Sequence, residues 1–524
     1  MKKSVIYKII FFLSLGFIFT ACKKDFLNTK PIGVFGDVDV WENLTLAQTF
    51  LNNTYSQLPS GFERGSQGWD HSIETLDEIS DDSYDQYSWT VYIPVINGSF
   101  TPASSPLNWV WNHNYNGIRS ANTFLANIDN VPGDDNTKKR LKGEAQFIRA
   151  VFYEELVKNF GGVPIITSPQ NFKDDIYVKR NSYNEVFAFL IQQVDSAAVA
   201  LPVNYSAAGD YGRATKGAAL ALKSRILLYN SKWPDAATAA KTVMALNIYD
   251  LAPDYASLFI NGNAKEIIFA KRYKQLQPYN AGGGYNDFND KNQPYFAGGW
   301  GSMNPTQNLV DDYEMTDGNL PANSPLYNNT QPYANRDSRF YGSITYQGST
   351  WKNQTIDFNN GTEYSATGYY LRKYLNESQV LYNGGATLDW PMLRYAEVLL
   401  NYAEAQNESA GPDQSVYDAI NKIRLRAHQP ALPAGLSQTQ MRDRVRHERR
   451  IEMAFEESRY YDLIRWGLAP QVLNGTIWGG KLSNGVFTKF KVTDRVFIAP
   501  KNNLFPIPQN EIDKNKILTQ NPGW

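Results

Sequence analysis

The sequence predicts a mainly α-helical protein: a scaffold of tetratricopeptide-like helix pairs broken by an irregular, loop-rich region with short strands. Three observations carry that expectation. Apolar residues recur at helical spacing in several separate stretches of the 524-residue chain. Small residues sit on one of those faces at a spacing that lets two helices approach closely. Between the helical stretches lie segments dense in Gly, Asn and aromatic rings that lack the period. A strict 34-residue repeat is not visible. With 42% hydrophobic and 20% charged residues the chain reads as globular rather than disordered, and its length allows several domain-sized units.

The first element, 1–21, reads as an export signal. Lys2, Lys3 and Lys8 give the basic start, Ile9 to Phe19 an almost unbroken apolar run, and small Ala21 precedes Cys22. The run is too short to span a bilayer. Phe19-Thr20-Ala21-Cys22 resembles the bacterial lipoprotein cleavage box, which makes Cys22 the acylated first residue of the mature chain and a lipid anchor. It is the only cysteine, so no internal disulfide and no cysteine-rich metal cluster forms. The net charge of -1 becomes -4 once those three lysines leave (-1 - 3), which argues against nucleic acid as a partner.

The region 22–270 begins with a polar tether to Pro31. Trp41, Leu44, Ala47, Phe50, Leu51 and Tyr55 then keep to one helical face. From 61 to 106 the period is lost, and Asp, Ser, Gly, Trp and Tyr predict surface loops with short strands. Helix returns at Trp109. Asp134 to Thr137 offer a cap for a helix whose apolar residues run from Leu141 to Leu156, and Gly161-Gly162 and Pro164 stop it. A helix from Thr215 and another opened by Pro234 follow. The region 271–390 is an irregular insertion: Tyr279 to Trp300 holds five Gly, four Asn and six aromatics, and Tyr341 to Tyr374 reads as strand and turn. In 391–524, helices are expected at Leu393–Asn407, Gln414–Ala427 and Gln438–Trp466, before an extended tail whose Pro506, Pro508 and Pro522 are expected on the surface.

No phosphate loop, dinucleotide fingerprint, HExxH or GxSxG motif is present, and the four histidines are scattered. No catalytic residue is assigned, although two carboxylates of a glycoside hydrolase would leave no readable spacing. Arg442 to Arg450 holds five arginines and a histidine, with Asp443, Glu448, Glu452, Glu456 and Glu457 three or four residues away. That spacing predicts ion pairs along a helix surface rather than a polyanion patch.

The aromatic loops are the remaining feature. Sugar rings offer apolar C–H faces on which indole and phenol rings stack, while Asp, Asn and Arg bond the hydroxyls. Tyr84, Tyr87, Trp89, Tyr92 and Asn97, with Asp81 and Asp82 before them, form one such set, and Tyr279, Tyr285, Tyr295 and Trp300 another. The alternative for any one ring is that it fills a core beneath the loops.

Several stretches resemble the SusD/RagB family: Lys142–Ala150 (KGEAQFIRA), Phe160–Ile165 (FGGVPI), Ala214–Leu222 (ATKGAALAL), Arg394–Ala405 (RYAEVLLNYAEA), Ile423–Ala427 (IRLRA), Glu448–Trp466 (ERRIEMAFEESRYYDLIRW), Phe505–Pro508 (FPIP), Glu511-Ile512 and Asn521–Gly523 (NPG). The resemblance implies a lipid-anchored protein on the outer-membrane surface that binds glycans, or in some members peptides, without cleaving them. It implies a SusC-like TonB-dependent transporter barrel as partner, capped by this chain in a dimer of such pairs. Lys23-Lys24-Asp25 looks similar to the charged signals that send such lipoproteins to the cell exterior. No cofactor is required. By position in the family, the site draws on 61–106 and the central insertion, which points to Asp82, Trp89, Asn97, Tyr295 and Trp300, with Arg372 as a further bond to sugar hydroxyls. Some relatives bind calcium at acidic loops, for which Asp287 and Asp290 are the candidates.

Overall fold

Helical spacing becomes helix in this chain, and in six of the ten helices named below a side chain caps the first turn. The computed structural model describes residues 39–62, 76–171, 176–262, 264–273, 288–361, 363–381 and 387–524, apart from the side chain at 208. Ten helices matter here: α1 Leu44–Ser56, α2 Asn108–Asn127, α3 Asp135–Phe160, α4 Tyr183–Ala200, α5 Lys216–Tyr229, α6 Trp233–Met244, α7 Tyr395–Ala410, α8 Gln414–Arg426, α9 Gln438–Glu452 and α10 Arg459–Arg465. Asp134 caps α3, its carboxylate accepting from Thr137 N at 2.7 Å, and Thr215 caps α5. Sequence reading passed over α4, although Ser182 and Glu185 form a reciprocal capping box before Val186, Leu190 and Val194.

Neighbours in this series pack on one another: α1 on α2 and α3, then α2 on α3, α3 on α4, α4 on α5, α5 on α6, α6 on α7, and α7 on α8 and α9. The result is the expected array of helix pairs, with its own apolar core. Close approach is decided by small residues. At Gly117 of α2, a Cβ would lie 2.3 Å from the Phe152 ring of α3.

The expected single helix Gln438–Trp466 is two helices. Between α9 and α10 the chain turns through Phe455 (φ 63°) and Glu457 (φ 59°), a left-handed conformation that ends the regular ladder. The turn is fixed from outside, since Leu76 N donates to Glu457 Oε1 at 3.0 Å and Glu457 N to Asp77 Oδ2 at 2.8 Å.

The Arg442–Arg450 segment also departs from expectation. Its ion pairs reach across the chain instead of following the helix surface, and those of Glu448 and Arg449 are buried. Glu448 accepts from Arg339 at 2.6 Å and Arg424 at 2.9 Å. Glu452 accepts from Arg394 at 2.7 Å and Arg339 at 3.0 Å, and Arg394 also reaches Glu266 and Glu456. Arg449 meets Asp462 of α10 at 2.7 Å. Burial opposes ionisation of Glu448, yet Arg339 and Arg424 hold its carboxyl below the usual range. A charged helix face turned inward requires partners of opposite sign from other elements, and their sequence distance hides them.

Strands among the described residues form two-stranded antiparallel ladders only. β1 Ser83–Asp85 pairs with β3 Met303–Pro305, and β2 Ile267–Lys271 with β4 Trp390–Arg394. β5 Thr476–Ser483 and β6 Val486–Asp494 make a hairpin where an extended tail was expected. Its signal stands in the sequence: Asn484-Gly485, both at positive φ, is the favoured two-residue turn. Residues from Ala252 to Trp390, with Phe62 and Ile451 to Phe455, build a second apolar core around buried Trp351.

Beyond the hairpin, the tail docks on the end of α3. Phe505 N donates to Asn159 O at 2.8 Å, and Asn521 Nδ2 to Phe160 O at 3.0 Å and Phe505 O at 2.7 Å. Pro506 and Pro508 are buried there rather than on the surface, while Pro522 is exposed. Among the described residues no helix is long and apolar enough to cross a membrane.

Candidate functional site

The loop 76–90 and the insertion meet through a ladder of three residue pairs. Ser83, Tyr84 and Asp85 pair with Pro305, Asn304 and Met303, and Gln86 N continues the register to Ser302 O at 2.8 Å. This sets 87–89 beside 300. Tyr87 Oη donates to Trp300 O at 2.9 Å, its ring stands edge-on to Trp300 with centroids 6.4 Å apart, and on the other side it stacks on Trp89 at 5.3 Å and 29°. Tyr295 and Trp300 flank one tight turn, in which Gly298 adopts φ 87°. Tyr295 in turn meets Tyr364 edge-on at 5.5 Å.

Backbone clamps hold these rings. Glu363 accepts from the N–H groups of Tyr295 and Phe296 at 3.1 and 2.8 Å. Tyr370 Oη donates to Tyr364 O at 2.8 Å and accepts from Tyr364 N at 3.0 Å. Gln86 Oε1 accepts from Ala366 N at 2.6 Å, tying the two loops together. Trp89 and Tyr364 remain 56% exposed, Tyr295 42% and Trp300 37%. An exposed strip of large rings fixed from behind offers faces to a flat, partly apolar ligand.

Among the predicted site residues, Trp89 and Trp300 come together through Tyr87, and Tyr295 joins the same surface through the turn. Tyr84 is half-buried in β1 opposite Asn304. Asn97 is exposed at the end of the short helix Ile93–Ile96, where its Oδ1 accepts from Ser99 N at 3.0 Å.

Asp82 requires a correction. It is fully buried, and its carboxylate is held by Arg450 at 2.8 Å, so it is a structural anchor and not a rim group for sugar hydroxyls. Asp81 is buried likewise, paired with Arg450 at 2.7 Å and Arg459 at 2.8 Å. Burial works against its charge, but those guanidiniums hold its carboxyl well below the usual range. The reason is geometric: 76–85 runs inside the protein beneath α9 and α10 instead of over its surface. Tyr92 is a core residue as well. Arg372 is held by Glu377, by Thr350 O at 2.9 Å and over the Trp351 ring, which makes it a brace within the insertion.

Tyr279, Tyr285, Asp287 and Cys22 lie outside the described residues. Asp290 is buried in the short helix Phe288–Asn292, and among the described residues no group of three or more His, Cys, Asp or Glu could hold a metal ion. Tyr364 was missed by sequence reading. Its only signal is its place in the Gly-rich turn 361–368 of the insertion.

Asp85 links the strip to the interior. It is fully buried, and its Oδ1 accepts from Tyr87 N at 2.8 Å. Burial pushes its carboxyl up to about 6, against the hydrogen bonds from Tyr87, Thr90 and Glu78.

The fold and the strip together define a class: a helix-pair repeat protein whose loop-rich second lobe presents a clamped aromatic surface. Family models match both halves, the SusD family over 265–524 and "Starch-binding associating with outer membrane" over 34–228. The chain belongs to the SusD/RagB family. A SusD-like protein P2 of Formosa agariphila is 25% identical over the whole of both chains, and P38 of the same organism is 24% identical over 90% of this chain and 93% of its own. A SusD-like carbohydrate-binding protein of Bacteroides fragilis has a solved structure that superposes with a TM-score of 0.82 at 28% identity, covering 92% of this chain and all of that one. A second SusD-like protein of Bacteroides fragilis superposes at 0.81 with 30% identity, over 93% and 99% of the two chains.

Proposed function

We propose that this chain is a non-catalytic glycan-binding lipoprotein of the outer-membrane surface. It captures an oligosaccharide on the strip formed by Tyr87, Trp89, Tyr295, Trp300 and Tyr364, and delivers it to a SusC-like TonB-dependent transporter. The observation that carries this reading is the meeting of Trp89 and Trp300, residues from two distant loops, on one exposed and clamped surface. The starch-binding protein SusD of Bacteroides thetaiotaomicron, 22% identical over 88% of this chain, supports the ligand class. Anchoring falls to Cys22 once 1–21 is removed. No metal is needed for this chemistry.

The test is a binding screen of the mature protein against plant, host and fungal polysaccharides. Retardation in a glycan-containing gel is expected for at least one, weakened about tenfold or more by Trp89→Ala and by Trp300→Ala, with no reducing sugar released. Unchanged affinity in both variants overturns the site assignment, and hydrolysis overturns the non-catalytic reading.

A further inference from the structure

The loop between α4 and α5, the strand β2 and the residue before β4 border a half-open cavity of about 380 Å³. None of the strip residues lines it. Its size falls in the range of sites for small ligands, and its walls are of two kinds. Tyr205, Tyr211 and Tyr249 supply flat rings. The hydroxyls of Tyr205 and Tyr249 are tied to Ala214 O at 3.0 Å and Thr215 Oγ1 at 3.2 Å, which fixes the ring planes. Tyr211 is 49% exposed, bonded to Gly262 O at 3.3 Å. The Arg272 guanidinium sits over its ring at 4.1 Å.

The polar wall is an incomplete ion pair. Arg272 Nε and Asp389 Oδ2 stand 3.6 Å apart, longer than a hydrogen bond. Asp389 is held in place by Tyr273 N, which donates to its Oδ1 at 3.1 Å. Among the described residues the guanidinium therefore keeps N–H donors and the carboxylate keeps an acceptor, side by side. The pair is neutral as a whole, so the cavity does not select an ion. A donor fork beside an acceptor matches neighbouring hydroxyls on one ring, and a tyrosine face matches the C–H surface of that ring.

We propose that this cavity is a second ligand site, separate from the aromatic strip, for a neutral hydroxyl-rich ring of the size of a mono- or disaccharide. The test uses the full mature protein with Trp89→Ala and Trp300→Ala, so that the strip is silent. Saturation-transfer NMR is recorded with D-glucose, D-galactose, D-mannose, D-xylose, maltose and cellobiose as probes. At least one probe is expected to give signal, and adding Arg272→Ala or Tyr211→Ala should weaken it about tenfold or more. Both side chains are near half-exposed, so the thermal midpoint should hold; if one substitution lowers it, the other decides. Absence of signal from every probe, or signal that neither substitution changes, overturns the proposal.

Discussion

The inward face of α9 and the aromatic strip are opposites in almost every respect. The first gathers charges in the interior, where each carboxylate has arginine partners from other elements. The second gathers rings at the surface, where the polar backbone behind Tyr295 and Tyr364 is clamped and Trp89 and Tyr364 stay more than half exposed. The charged face orders the molecule, because a buried ion is tolerated only in one arrangement of its partners. The ring face is free to vary without unfolding anything. Under the proposed function, stability and recognition fall on different residues, and each can be perturbed alone.

The strongest break is Arg394→Ala. It leaves Glu266, Glu452 and Glu456 without the guanidinium that joins them, and should lower stability by about 3–5 kcal/mol in denaturant unfolding. If the loss is below about 1 kcal/mol, the buried network is not what orders the scaffold.

Asp85 tests the joint between the two regions. Its folded value of about 6 lies above the ordinary 3.8, so the folded state binds a proton more readily than the unfolded chain. The associated stability is fully present below about pH 4 and is lost as pH rises through 6, with an upper bound of about 3 kcal/mol. Asp85→Asn should flatten that part of the stability profile while still accepting from Tyr87 N. A slope that survives the substitution would assign it to another group.

Gly117→Ala places a methyl group against Phe152 and should cost about 1–3 kcal/mol by thermal unfolding, with glycan affinity intact. Trp89→Ala is its mirror image: stability within about 0.5 kcal/mol of the parent, and affinity reduced. Should Trp89→Ala unfold the protein, or Gly117→Ala abolish binding, the separation of roles fails.

The same contrast explains what was legible in the sequence. A side-chain cap followed by an apolar stripe is a local feature: it marks α3 after Asp134, and the same signal stands unused before α4 at Ser182 and Glu185. The stretches that carry the family resemblance are those whose residues pair inside the scaffold: Glu448–Trp466 in the ion network, Phe160-Gly161-Gly162 and Phe505–Pro508 at the docked tail, and Arg149, which meets Asn122 at 2.7 Å and Gln193 at 3.0 Å. The two ring clusters were visible as composition. Their meeting was not, because it depends on two three-residue strands in which Tyr84 pairs with Asn304, 220 positions on, too short to show a period. Asp82 was misread for the same reason, since its partner Arg450 lies 368 residues away. The β5–β6 hairpin was locally encoded by Asn484-Gly485 and was simply overlooked.

The docked tail has a consequence for how the molecule comes into being. The carbonyl of Phe160 accepts from Arg180 at 3.0 Å and from Asn521, made 361 residues later, and Arg180 reaches forward to Asn521 at 2.8 Å. Arg180 can meet that helix end early, but the end's bonds to Asn521 and Phe505 form only after the insertion and α7 to α10 have been made. Contacts of such sequence span make for slow assembly.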